Sequence, residues 1–148
     1  MNRFVLSVRF GIALSSSLIA YFLVLSLFGL HTNPWFSLFN GVITGFAIYE
    51  AIRYKRIELQ SDYGYTSGFQ AGIVTGFLGT IIFTVFMAVY VTEVDPDFIS
   101  KIAETFSKSY NIGVGVFSFT VLLSGLATTI VLTLSFMQLF KKRITPKK

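Results

Sequence analysis

SGFQAGIVTGFLG, residues Ser67–Gly79, places glycines at 68, 72, 76 and 79 inside an otherwise apolar run. In water such a helix would be handicapped, because each interior glycine costs roughly 1 kcal/mol relative to alanine. In a bilayer the argument reverses: lipid is as apolar as leucine, so helices associate through the close packing that small residues permit. At about 100° per residue, Gly72, Gly76 and Gly79 fall within about 80° of Gly68, with Thr75 beside them. The stripe reads as a helix contact. It continues as the large residues Phe83, Phe86 and Tyr90, so this helix is expected to lie close to its neighbour at one end and splay from it at the other. Leu78, on another side of the wheel, is expected to meet lipid.

Gly41 and Gly45, flanked by Ser37, Thr44 and Ile48, offer a matching surface and are the expected partner of the stripe. Gly11, Ser15, Ser16 and Ala20, and later Ser124, Gly125, Thr128 and Thr129, supply further small or hydroxylated positions. Packing within the chain is the reading adopted; a face kept for another chain is the alternative, and periodicity does not separate them.

Composition agrees with a bilayer. The 148 residues are 53% hydrophobic and 13% charged, with a mean hydropathy of +0.70, outside the range of a soluble domain. Seventeen phenylalanines suit helices whose outer faces touch lipid. The absence of cysteine excludes disulfides, thiolate metal sites and cysteine nucleophiles.

A helix needs roughly 20 apolar residues to cross a hydrocarbon core of ~30 Å. Four segments qualify, at about 10–30, 34–52, 68–91 and 113–140, and none contains aspartate, lysine or arginine. The expectation is an all-α polytopic membrane protein, a four-transmembrane-helix bundle forming one domain over 1–148. Arg3 and Arg9 precede span one, but its apolar run is too long for a signal peptide and HTNPW offers no small-residue cleavage site. In that turn Asn33 is the expected N-cap, with Pro34 at the first helical position.

Orientation follows from lysine and arginine in the short flanks. Arg3, Arg9, Arg53, Lys55, Arg56, Lys141, Lys142, Arg143, Lys147 and Lys148 gather on one side, against Lys101 and Lys108 on the other. Both termini and the loop YKRIELQSDYGY are therefore expected to be cytoplasmic, in a bacterial inner membrane. The net charge of +5 is then a cytoplasmic fringe, which needs no nucleic acid to explain it. Arg53, Lys55, Arg56, Lys141, Lys142 and Arg143 become candidate contacts to a partner protein or to anionic lipid headgroups, at about 1 kcal/mol per residue. Tyr54, Tyr63 and Tyr65, and opposite them Trp35, Tyr90 and Tyr110, fall where aromatic belts belong. Between spans three and four, Asp95 as N-cap, Pro96 at the first position, and Phe98, Ile102 and Phe106 at four-residue spacing predict a short amphipathic helix. Glu93, Asp95 and Asp97 read as capping charges, since three acids do not fill calcium's shell.

Little else carries chemistry. Glu50 is the one candidate intramembrane ionisable site, and Arg53 three residues on suits a local ion pair. His31 sits in a water-exposed turn, and Asn40 and Gln138 are polar groups able to bridge helices. No metal, cofactor or catalytic set is expected.

The chain resembles a family of small four-span inner-membrane proteins of Bacteroidetes known as a domain of unknown function. The resemblance rests on NGVITGFAIYEAIRYKR, GYTSGFQAGIVTGFLGTII and VDPDFISKIAE, covering roughly 40–104. It implies no activity and carries no catalytic residues; the neighbouring genes of members imply a polyprenyl-phosphate sugar transferase as a partner. The expected function is a non-catalytic membrane subunit or anchor for a partner protein, or a homo-oligomer. The alternative is a small transporter or flippase of a solute or lipid-linked substrate, with Glu50 as its charged element.

Overall fold

The structure, a computed structural model, describes residues 4–30, 33–105 and 113–140. It is all-α, with helices α1 (Val5–Leu27), α2 (Pro34–Leu59), α3 (Tyr65–Val89), α4 (Phe98–Thr105) and α5 (Val114–Leu139). Among the described residues, three helical segments are long and apolar enough to cross a membrane: Val5–Leu27, Tyr65–Val94 and Val114–Leu139. They make the chain a multi-pass membrane protein. Helix α2, expected as span two, is as long as these; its apolar run holds Asn40 and Glu50, and its last two turns are charged.

Sequence punctuation explains the ends. Gly29, at φ +69, closes α1, with Leu30 N–H donating to Leu25 O at 2.9 Å, a left-handed cap that glycine adopts without steric cost. Asn33 opens α2 by accepting from Trp35 N–H at 3.0 Å, with Pro34 in the first turn. The segment expected as a loop after span two is instead helical to Leu59, supported by Glu50–Arg53 and Lys55–Glu58 pairs three residues apart. Only a 3-10 turn, Gln60–Asp62, and the residues to Gly64 separate α2 from α3.

α3 does not stop cleanly. It passes into a π turn over Tyr90–Val94, closed by Asp95 N–H donating to Tyr90 O at 3.0 Å. α4 begins later than expected, since Lys101 N–H makes its bond to Asp97 O, and Pro96 lies in the turn before it. The Asp95 carboxylate reaches Lys101 Nζ at 3.4 Å.

α3 is the hub, packed against α1, α2 and α5. At the end that holds the α1–α2 turn, Phe22, Met87, Tyr90, Val91, Phe98 and Ile99 form a buried cluster. Phe98 meets Phe22 and Phe117 edge-on at 5.7 and 5.9 Å, so α4 is pinned to the bundle by its apolar face. At the opposite end Ile48, Ile52 and Met137 join α2 to α5. Tyr90 belongs to the core, not to an interfacial belt: it is 4% exposed and its hydroxyl lies 2.9 Å from Ser26 Oγ. Phe106 and Tyr110 lie outside the described residues.

Candidate functional site

In the glycine stripe of α3, Gly72 and Gly76 face α5, Gly68 meets Tyr63 as well as α5, Gly79 faces α1, and none faces α2. A β-carbon at Gly72 would come within 2.6 Å of Thr133 Cγ2, one at Gly76 would collide with Thr129, and one at Gly68 would reach Met137 Sδ at 2.8 Å. One turn further the roles exchange, because Gly125 of α5 receives Thr80 of α3. Contacts thus descend α5 by four residues as they ascend α3 by four, an antiparallel seam in which each threonine fills a notch left by a glycine. Thr129 and Thr133 are fully buried there, and neither hydroxyl has a hydrogen-bond partner.

The adjoining side of α3 carries α1. Gly79 receives Leu14, Leu78 fills the space over Gly11 at 2.9 Å, and Thr75 donates to Ser7 O at 3.2 Å. Leu78 therefore packs on a helix, where a lipid-facing position was expected. The glycines of α2 behave differently from the expectation too. Gly45 makes only ordinary contact with Phe136 and Leu132, at 3.7 and 3.8 Å, and nothing lies within 4 Å of a β-carbon at Gly41.

Gly41 has no neighbour because it lines a cavity of about 470 Å³. α2 and α5 meet near Gly45 and diverge towards the α4 end, and the gap lies between them, with α1 and α3 behind it. The widening anticipated along α3 falls here instead. Leu18, Phe22, Phe83 and Met87 supply apolar wall, and Phe98 closes it on the α4 side. Asn40, Thr44, Thr80, Thr120, Ser124 and Thr128 add polar atoms without charge. Much of that polarity is already spent, with Thr44, Thr120 and Thr128 donating to Asn40 O, Val116 O and Ser124 O at 2.8, 2.9 and 2.7 Å. The Oδ1 of Asn40 is buried and has no hydrogen-bond partner. The one lining residue with a titratable side chain, Tyr21, donates its hydroxyl to Phe36 O at 2.9 Å.

The basic residues of α2 are largely engaged. Arg53 Nη1 lies 3.3 Å from Glu50 Oε1, and the Arg56 guanidinium stands 5.8 Å from the Phe140 ring centroid. Lys55 is not a fringe contact: it is 7% exposed, pairs with Glu58 at 3.1 Å, and borders a smaller pocket of about 280 Å³ with Asp62 and Gln70. Nearby, burial raises the Tyr63 phenol above its ordinary range, against the opposing charge of Arg56. Lys141, Lys142, Arg143 and His31 lie outside the described residues. Gln138 is exposed on α5.

A multi-pass helical protein with a cavity between its helices, lined by no charged side chain among the described residues, is thus the class that the fold and site define. The chain belongs to DUF4199, a family of proteins of unknown function, which matches residues 9–110. The match takes in most of α1 and the whole of α2, α3 and α4, a wider stretch than the motifs between 40 and 104, and ends before α5. Neither a curated protein nor a solved structure matches the chain.

Proposed function

We propose that this protein is a non-catalytic subunit of a bacterial inner membrane that holds a partner protein there, with four spans and both termini cytoplasmic. The observation that carries the reading is the state of α5. Only Thr129, Thr133 and Met137 of that helix are buried, along the seam with α3, while Val116, Phe119, Leu123 and Val131 are at least half exposed. A helix held by α3 along one line and by α2 at one end has much of its remaining circumference free for another transmembrane helix, which would associate by close packing and not by hydrophobic drive. The family resemblance makes a polyprenyl-phosphate sugar transferase the first partner to seek. Anionic headgroups would meet the exposed Arg9, the partly exposed Arg53 and the basic tail from Lys141.

Purification in mild detergent, with photo-crosslinking side chains at Phe119 and Val131 of α5 and at Val24 of α1, tests the reading. A stoichiometric partner crosslinked from α5 and not from α1 supports it; a solitary chain crosslinked to nothing sinks it. Transport with Glu50 as the charged element has less support, because Glu50 does not line the cavity and is paired with Arg53.

A further inference from the structure

We propose that the cavity between α2 and α5 is a binding site for one hydrocarbon chain of a membrane lipid, admitted sideways from the bilayer. This goes beyond the anchoring role and does not depend on it. The first ground is where the cavity is closed. Phe98, packed against Phe22 and Phe117, forms its wall on the α4 side, and the Gly45 contact with Leu132 and Phe136 closes the α2–α5 gap at the other. The second is where it is open. Of its lining residues, Leu38 is 65% exposed, and Thr120 and Ser124 are exposed too. They stand on the facing flanks of α2 and α5, so the mouth is a slot between two helices.

The third ground is chemical. No carboxylate, ammonium, guanidinium or imidazole lines the cavity among the described residues, and the hydroxyls of Tyr21, Thr44, Thr120 and Thr128 already donate to backbone carbonyls. A charged or strongly hydrated solute would lose its water and find in return only the Asn40 amide and a few neutral hydroxyls. A hydrocarbon chain has no such need, and about 470 Å³ of mainly apolar wall lies within the size range of small-molecule sites. Gly41 completes the slot, since any side chain there would occupy the space that the chain takes.

Native mass spectrometry of the full chain, released from nanodiscs of palmitoyl-oleoyl phosphatidylcholine into detergent, tests the site. The expected result is one phospholipid retained per protein chain. Gly41→Phe should abolish that retention, whereas Val42→Phe, at a 65% exposed neighbour outside the cavity, should preserve it. Should Gly41→Phe fail to fold, Ser124→Phe obstructs the slot from the other side and must give the same loss. The proposal is overturned by any of three results: no retained lipid, retention unaffected by the obstructing variant, or a retained polypeptide where the lipid should be.

Discussion

The Cγ2 methyl of Thr133 lies where a side chain on Gly72 would begin: a β-carbon at residue 72 would stand 2.6 Å from it. Thr129 stands in the same relation to Gly76 one turn along. A side chain at either glycine must drive α3 and α5 apart along the seam. Overpacking of a close interface costs typically ~1–3 kcal/mol. Gly72→Leu and Gly76→Leu should each destabilise the protein by about that much or more, read as a lower melting temperature in detergent. Val85→Ala, at a 60% exposed position of the same helix, should stay within about 0.5 kcal/mol of the parent. Equal shifts for all three would remove the seam's role.

The seam also contains a defect. Thr129 and Thr133 bury hydroxyls that have no partner, and an unsatisfied buried polar group costs ~1–3 kcal/mol. Valine keeps the branching at the β-carbon and removes the hydroxyl's demand. Thr133→Val should therefore melt no lower than the parent and up to about 1 kcal/mol higher, measured by thermal unfolding in the same detergent. A clear loss of stability would mean that the hydroxyl is bonded in the folded protein.

These two positions mark what the sequence discloses and what it does not. Glycine at four-residue spacing announces that some helix comes close, because nothing else rewards the loss of side chains in an apolar run. It carries no address. Gly41 and Gly45 looked like the complement of the stripe because they repeat its pattern, yet a notch is filled by a knob, and the knobs are Thr129 and Thr133 of α5. Leu78 misled for a related reason: a large apolar residue reads as lipid-facing unless its own notch, Gly11 on a distant helix, is known. Lys55 sits in a basic run and looked exposed, but α2 continues as helix and turns it inward beside Glu58. The cavity left no local trace, since α1, α2, α3, α4 and α5 each contribute to its wall. The Asn33–Pro34 start was readable, being a property of consecutive residues, whereas the run of α2 past Ile52 to Leu59 was not.

Glu50 and Arg53 provide a test of the bland reading of the intramembrane acid. Their contact is 3.3 Å and the Arg53 side chain is 53% exposed, so solvent and headgroups screen it. Pairs of this kind contribute about 0–1 kcal/mol. Glu50→Gln should leave expression and melting temperature within that margin and leave complementation of a deletion strain intact. Loss of complementation with normal expression would return Glu50 to a transport role.

Tyr63 gives a pH signature outside the membrane-spanning segments. Burial raises its pKa in the folded state above the ordinary value of 10.0, so the folded protein holds the phenolic proton to higher pH than the unfolded chain does. The sign follows: its contribution to stability is complete below pH 10.0 and is lost as pH rises above that value. Other tyrosines and lysines titrate in the same range, so the readout is a difference. Tyr63→Phe should show a shallower alkaline fall in melting temperature than the parent; identical slopes would mean that the phenol is solvated in the folded state.

Topology remains the sharpest discriminator for α2, whose hydropathy is lower than that of the other long helices. If α2 crosses the bilayer, the turn at Tyr63 and helix α4 at Lys101 lie on opposite sides, since the apolar segment Tyr65–Val94 separates them. The Asn33 turn then lies on the side of Lys101. If α2 does not cross, Asn33 and Tyr63 share a side instead. The concentration of ten basic residues on one flank against two on the other favours a crossing, with Tyr63 in the cytoplasm. Paired alkaline phosphatase and green fluorescent protein fusions at Asn33, Tyr63 and Lys101 should report outside, inside and outside in turn. A fusion at Asn33 that behaves like the one at Tyr63 would leave α2 on a single face of the membrane and reduce the bundle to three spans.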